Sequence, residues 1–354
     1  MMQKIKVGII GTGSISHSHI QGYLNNPNVE LYALCDLNEE RVKAVGEKYK
    51  VSRLYTDMNE MLKLKDLDAV SVCTWNSAHA PCSIAALKAG KHVLCEKPMA
   101  MNAEEAKAMK KAADEAGKLL MIGFVRRFGN DTAIIKDYQS TDFLGDIYYA
   151  KATYLRRKGS PGGWFGDRSR SGGGPLIDLG VHVIDLTRFL MNNPKPISVY
   201  GATFQKLLDR KNIKGTTEYC SMEKTNDDLY DVEDLATAMI RYDNGAVVSI
   251  EASFSLNIKQ DEGVIQLFGT KGGAKLNPEL EMYTEINDYM VDVQLAAHTA
   301  LDFNGLFDNE INHFVDCIVG KVTCISPAED GMEIMIILDA IYESARTGHE
   351  VVIQ

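Results

Sequence analysis

The sequence predicts two domains: an alternating α/β half, then an α+β half with an open, mostly antiparallel sheet. Three observations carry this. Short β-prone runs alternate with helical runs up to Gly123. A glycine turn, Gly11-Thr12-Gly13, follows the first run. Beyond Phe124 the strands lengthen and alternate apolar with polar residues. Strands separated by helices need crossover connections, which give a parallel sheet covered on both faces. The boundary falls between domains 1–123 and 124–354.

In the first half, strands are expected at Ile5–Ile10, Leu31–Cys35, Ala69–Thr74, His92–Cys95 and Leu119–Gly123. Helices are expected at Ser14–Asn25, Asn38–Tyr49, Pro81–Ala89 and Ala103–Ala116, the last two stopped by Gly90 and Gly117. Glycine ends a helix because it takes the left-handed cap conformation without strain. In the second half the strands are Gly145–Leu155, Ile197–Phe204, Asp234–Tyr242, Ala246–Ser255 and Gly263–Gly269. Asp243-Asn244-Gly245 is a hairpin turn, since Asn and Gly tolerate positive φ. Helices run from about Pro175 to Met191, over Glu310–Val319 and over Ala328–Thr347. The stretch Gly159–Gly174 is a long loop rich in glycine and charge, and such loops carry function more often than ornament.

A chain of 354 residues has room for two cores, and 45% hydrophobic with 24% charged residues is ordinary for a soluble globular protein. The net charge of -10 argues against a nucleic-acid surface, which needs a basic face. Local basic pockets at Arg126-Arg127 or Arg156-Arg157-Lys158 stay compatible with it. No apolar run reaches membrane-spanning length, and the first residues lead straight into a strand pattern. The expectation is a cytoplasmic protein without membrane contact. Seven scattered cysteines with no close pair point to reduced thiols and no metal site.

Gly11-Thr12-Gly13-Ser14-Ile15-Ser16 is GxGxxG with serine in the third place. The first glycine permits the tight turn, the second lets backbone approach a pyrophosphate, and the third position needs only a small residue. The helix N-terminus that follows favours phosphate. This is the signature of a Rossmann dinucleotide-binding domain. Asp36 ends the second strand, where a carboxylate binds the ribose hydroxyls and repels a 2′-phosphate. Leu37 follows it rather than a phosphate-binding residue, so NAD is expected over NADP. Asp36 could equally cap the next helix, and the two roles are compatible.

Glu96-Lys97-Pro98 closes a buried strand at the mouth of this sheet. Pro98 restricts Lys97 to an extended backbone, which aims the ammonium in one direction. Such a lysine can hydrogen-bond a substrate hydroxyl and stabilise developing alkoxide charge. Gly172-Gly173-Gly174-Pro175 leads into a helix carrying Asp178 and His182 at i and i+4, on one face. A carboxylate beside an imidazole fixes its tautomer and suits it to proton transfer. The pair could also hold zinc, though no third ligand is near in sequence, or be an ordinary buried polar pair. Thr74, Asn76 and His79 form a loop placed to lie over a nicotinamide, though His79 could instead be a packing residue at a helix N-terminus. His17, His19 and His313 read as structural.

Together these residues resemble the Gfo/Idh/MocA family, the glucose-fructose oxidoreductase and inositol dehydrogenase group. The resemblance spans the chain through GTGSIS, AGKHVLCEKPMA, GGGPLIDLGVH and the closing Ala345-Arg346-Thr347-Gly348-His349-Glu350-Val351. It implies a Rossmann domain followed by a sheet domain that binds substrate and mediates assembly into a homodimer or homotetramer. It implies an NAD(P)-dependent enzyme acting on a sugar or cyclic polyol. By motif match, Lys97, Asp178 and His182 take the catalytic places. Gly11, Thr12, Gly13, Ser14, Ile15, Asp36, Thr74, Asn76, His79, Glu96 and Lys97 fall to the cofactor. Trp75 departs from the proline usual in the family. The segment around Trp164 resembles the branch handling glycosides, with Trp164 placed to stack on a sugar ring and Arg127, Arg157 and Arg168 to bind hydroxyls. Trp164 and Phe165 could instead fill space between domains. The expected reaction is oxidation of a secondary ring hydroxyl, at C3 in a glycoside. Rival readings are an inositol dehydrogenase, transient-redox epimerase or glycosidase chemistry on bound NAD, and a non-catalytic dinucleotide sensor.

Overall fold

The computed structural model describes residues 4–207, 210, 220–225, 227–277, 279–296 and 303–353. The chain packs as two units, 1–125 with 303–332 and 126–302 with 333–354.

The first unit is built on six parallel strands: β1 (Ile5–Ile10), β2 (Val29–Cys35), β3 (Leu54–Tyr55), β4 (Ala69–Val72), β5 (His92–Glu96) and β6 (Leu120–Gly123). Their order is β3-β2-β1-β4-β5-β6. The order reverses between β1 and β4, and ligands of such sheets bind at the carboxyl ends of the strands flanking that point. The strands are buried almost throughout, as a sheet covered on both faces requires. The helices are α1 (Ser16–Asn25), α2 (Glu39–Tyr49), α3 (Met58–Leu62), α4 (Asn76–Lys88) and α5 (Ala103–Ala116). One expectation shifts, and two short elements are added. The helix read from Pro81 begins at Asn76, a turn earlier, with Pro81 inside it. The short β3 and α3 carry too few residues to show a period.

The sequence boundary at 123/124 leaves 303–332 in the second half, but these residues pack with the first unit. Gly22 of α1 makes this possible: a Cβ there would lie 2.8 Å from Ile311 Cγ1. Asn26 also donates to Asn312 Oδ1 at 2.8 Å, across 286 residues of sequence. Ile122 N–H donates to Ser326 O at 3.0 Å, and Ser326 Oγ returns a bond to Ile122 O at 2.6 Å. No local pattern announces contacts of this range.

The second unit holds α6 (Asn130–Ser140), β7 (Ile147–Leu155), α7 (Arg168–Ser171), α8 (Val181–Leu190), β8 (Pro196–Phe204), β9 (Leu235–Tyr242), β10 (Val247–Ser253), β11 (Glu262–Gly269), β12 (Gly272–Leu276), β13 (Glu281–Ile286) and β14 (Tyr289–Val293). After these come α9 (Phe303–Ile318), which belongs to the first unit, α10 (Ala328–Thr347) and β15 (Val351–Val352). Nine strands run in the order β14-β13-β12-β11-β7-β10-β9-β8-β15. Only β7 and β10 pair in parallel. The turn at Gly245, φ +85°, joins β9 to β10. One face is lined by small buried residues, Ala150, Ala152, Ala238 and Ala252 among them, and α8 lies on it. The other face stays open, with Tyr200, Met239, Ser249, Lys151 and Gln266 in one register row. Among the described residues no helix is long and apolar enough to cross a membrane.

A buried ion pair fixes α8. Arg127 donates from Nε and Nη2 to the two carboxylate oxygens of Asp185 at 3.0 and 2.5 Å, with both side chains shut from solvent. The guanidinium also lies 4.6 Å above the Phe189 ring. Removing one partner of such a pair strands the other charge in a medium that cannot solvate it. Asp185→Ala is therefore expected to cost about 3–5 kcal/mol, read as a fall in the denaturation midpoint. A midpoint equal to wild type would show that the pair contributes nothing.

Candidate active site

In the first unit the glycine turn closes the carboxyl end of β1. Gly11 sits at φ +89°, and a Cβ there would lie 2.7 Å from Cys73 O, so only glycine fits. At Gly13 a Cβ would meet nothing within 4 Å, leaving backbone open to a ligand. Ser16 is buried and donates to Gly13 O at 2.6 Å, as a small third residue should. Ser14 and Ile15 lead into α1, whose first turn has no side-chain cap and no acidic residue to repel an anion. Asp36 accepts from Thr12 N–H at 2.7 Å, Thr12 Oγ1 at 2.9 Å and Asn38 N–H at 2.8 Å. The cap of α2 is Asn38, not Asp36. Arg41, one turn along α2, brings its guanidinium to 3.7 Å from Asp36. An open glycine cradle, an uncapped helix start and a carboxylate at the end of β2 fit a dinucleotide.

The loop after β4 differs from expectation in one respect. Thr74 is half-buried and Asn76 buried at the start of α4. His79 is wholly enclosed: Nδ1 lies 2.7 Å from Pro98 O and Nε2 3.1 Å from Thr74 O. Burial lowers its pKa, against the raising effect of the two carbonyls. Both ring nitrogens face backbone, so His79 braces the Thr74 turn against the Lys97–Pro98 turn, whose peptide bond is cis. It is not a cofactor contact in this arrangement. Glu96 likewise turns inward. It accepts from His19 Nε2 at 2.7 Å and from Lys97 N–H at 3.2 Å. Of the Glu96-Lys97-Pro98 triplet only Lys97 remains partly exposed.

In the second unit the Asp178 turn is tightly built. Glu233 accepts from Gly174 N–H at 3.0 Å, Leu176 N–H at 3.2 Å and Tyr342 Oη at 2.9 Å. A distant carboxylate thus caps the helix start. The glycines before it are demanded by crowding: a Cβ at Gly173 would lie 1.9 Å from Tyr342 Oη, and one at Gly174 2.2 Å from Glu233 O. Leu176–Gly180 is a π-helical turn, not the α-turn the spacing implied. Its i→i+5 bonding puts more residues in the turn, which changes the angle between Asp178 and His182, and such turns recur at functional sites. Asp178 is buried at 8% exposure and His182 is half-buried.

The predicted arginines separate. Arg127 is buried on Asp185 and is not available to a substrate. Arg157 is exposed and donates to Lys259 O at 3.2 Å. Its neighbour Arg156 lies over the Tyr154 ring at 5.5 Å, and that ring is 6.5 Å from His182. Strand alternation turns Tyr154 to the helix-covered face, a signal the sequence reading passed over. Arg168 stays half-exposed beside Glu233 at 3.6 Å. Trp164 stacks on Phe165 with centroids 3.9 Å apart. Also unforeseen, His19 packs on Glu96, and the half-buried thiols Cys317 and Cys324 gather near His313. His313 Nε2 accepts Ile325 N–H at 3.1 Å there.

Comparison with known proteins agrees with this architecture. Residues 5–124 match the oxidoreductase family model with an NAD-binding Rossmann fold, and residues 140–353 match that family's C-terminal alpha/beta domain. D-glucoside 3-dehydrogenase of Escherichia coli is 35% identical over 351 residues, covering 98% of this chain and 97% of that protein. Levoglucosan dehydrogenase of Pseudarthrobacter phenanthrenivorans is 29% identical over 293 residues, covering 78% and 75%. A solved structure of levoglucosan dehydrogenase in complex with NADH and L-sorbose superposes with a TM-score of 0.86 at 25% identity, over 100% of both chains. With both of its domain models matched, the chain belongs to the Gfo/Idh/MocA family of oxidoreductases.

Proposed function

We propose that this protein oxidises a secondary ring hydroxyl of a pyranose or glycoside, at C3 in a glycoside, with NAD⁺. The observation that carries the reading is the near-complete alignment with D-glucoside 3-dehydrogenase. An inositol is the second candidate, since myo-inositol 2-dehydrogenase of Thermotoga maritima is 28% identical over 268 residues. The higher identity and fuller coverage favour the glycoside.

Gly11, Thr12, Gly13, Ser14, Ile15 and Asp36 would hold the dinucleotide, with Thr74 and Asn76 beside it. Bound NAD⁺ supplies a two-electron acceptor for the carbon that bears the hydroxyl. Lys97 hydrogen-bonds that hydroxyl and stabilises negative charge on its oxygen. His182 takes the hydroxyl proton, and Asp178 orients the imidazole. Tyr154, Arg156, Trp164 and Arg168 are assigned to the sugar. The open face bearing Tyr200 and Met239 is assigned to contact between copies in a homodimer or homotetramer. Light scattering is expected to give a multiple of the chain mass; a monomer mass would remove that assignment.

The test is NADH absorbance with NAD⁺ and a panel of glucosides, free hexoses and inositols. A rise with glucosides supports the reading, and a rise with inositols alone replaces the substrate. If nothing rises, nicotinamide released on denaturation separates a closed redox cycle on retained cofactor from a sensor. Lys97→Ala and His182→Ala should each lower turnover by about 10²–10⁴-fold with NAD binding kept. Undiminished turnover would sink their roles.

Cofactor choice gives a second test. Asp36→Ala removes the carboxylate proposed to bind the ribose hydroxyls and leaves Arg41 beside the vacated site. The NAD-to-NADP ratio of kcat/KM is expected to fall by roughly tenfold or more. An unchanged ratio would take Asp36 out of the ribose site.

A further inference from the structure

Glu310 of α9 is fully buried, and neither carboxylate oxygen has a hydrogen-bond partner. An orphaned buried carboxylate needs an explanation. It meets His19 of α1 and Glu96 of β5, with one donor or acceptor atom from each within 4.8 Å of the others. His19 Nε2 is 2.7 Å from Glu96 Oε1, and its Nδ1 is 3.1 Å from Ser71 Oγ. Ser71 Oγ is 2.7 Å from Tyr23 Oη. The second oxygen of Glu96 receives Lys97 N–H. A bonded chain therefore runs from Tyr23 through Ser71, His19 and Glu96 to the backbone of Lys97, with Glu310 beside it.

The geometry suits a proton better than a metal ion. Two atoms bound to one zinc at ~2.0–2.1 Å stand roughly 3 Å or more apart, whereas His19 and Glu96 are in hydrogen-bond contact. Two carboxylates so close and so dry cannot both ionise. Glu96 has two donors and Glu310 has none, so the charge belongs to Glu96. The titration directions agree. Burial drives Glu310 well above the usual carboxylate range, and the Glu96 charge adds to this. Burial also pushes Glu96 upward, but the His19 hydrogen bond and charge, with Lys97, hold it below its usual value. The other titratable groups facing the cluster are Tyr23, Cys73, Cys95 and His79. Burial raises the first three and lowers the last.

We propose that His19 and Glu96 are positioning residues for Lys97, and that Glu310 stays protonated so that Glu96 can keep its charge on His19 and on the Lys97 backbone. The proposal rests on the assignment of Lys97 to the substrate hydroxyl. A second charge at Glu310 would repel Glu96 from this seat and shift the turn that aims the Lys97 ammonium.

Two measurements on the full chain test it. The first is the infrared difference spectrum of wild type against Glu310→Gln near neutral pH. A protonated-acid C=O stretch missing from the variant is expected; carboxylate bands alone overturn the proposal. The second compares His19→Ala with His19→Gln, whose amide can stand in for Nε2. His19→Ala should lower kcat at least tenfold with NAD affinity within twofold of wild type, and His19→Gln should recover most of the loss. Wild-type kcat in His19→Ala overturns the positioning role. So does an equal loss of kcat and NAD affinity in both variants, which would mark a merely structural histidine. Failure of the Lys97 assignment is read separately, as full turnover in Lys97→Ala, while the infrared result still reports on Glu310.

Discussion

The reversal of strand order between β1 and β4 is the constraint on which the first unit depends. Connections leave the two strands toward opposite sides of the sheet, so the carboxyl edge between them stays uncovered. The chain then spends its special residues there. Gly11 exists because Cys73 O of the loop after β4 comes within 2.7 Å of where a Cβ would stand. Asp36 ties the glycine turn to the end of β2 through both donors of Thr12. His79 ties the loop after β4 to the end of β5. The loops that would meet a cofactor are thus held to one another as well as to their strands, which limits how far any of them can move alone.

The second unit solves a similar problem by different means. Its Asp178 turn begins a helix whose first N–H groups have no partner within the helix. No serine or threonine supplies one. Glu233, distant in sequence, reaches in instead, and Tyr342 of α10 holds that carboxylate. The approach is so close that Gly173 and Gly174 cannot carry a Cβ. The glycine run therefore reflects packing at this point rather than flexibility. Asp178 is carried on this braced turn, a rigidity that would suit the orienting role proposed for it.

These details mark where the sequence was legible. Elements with a full period were plain: α5 and α10 match their expected spans, and the strands that were expected fall within a few residues of theirs, while β3 and β12 to β14 went unread. The positions of Gly11, Asp36 and Lys97 at the carboxyl ends of β1, β2 and β5 were visible because local chain geometry fixes where they stand. Residues whose meaning depends on distant partners were not. Arg127 looked like a hydroxyl ligand because Asp185 could not be seen opposite it. His79 and Glu96 looked like cofactor contacts because nothing local shows which way a side chain turns at a strand end. Residues 303–332 join the first unit through Gly22, whose missing side chain gives no sign of what it admits.

Arg41 shows the same limit in the electrostatics. Reading cofactor preference from the residue after Asp36 is a one-dimensional rule, and Leu37 satisfies it. The helix that starts at Asn38 then carries a guanidinium back to 3.7 Å from the same carboxylate. A cation that close offsets part of the field of this nearly buried carboxylate. It also lowers the repulsion that Asp36 can exert on a 2′-phosphate, because the field of the pair falls off faster than that of a lone charge. Discrimination then rests on contact rather than on field. On the proposed reading the carboxylate would hydrogen-bond the ribose hydroxyls directly, while Thr12 and Asn38 hold it in place. If Asp36 meets the ribose as proposed, the three hydrogen bonds that hold it in place would serve selectivity as well as the fold.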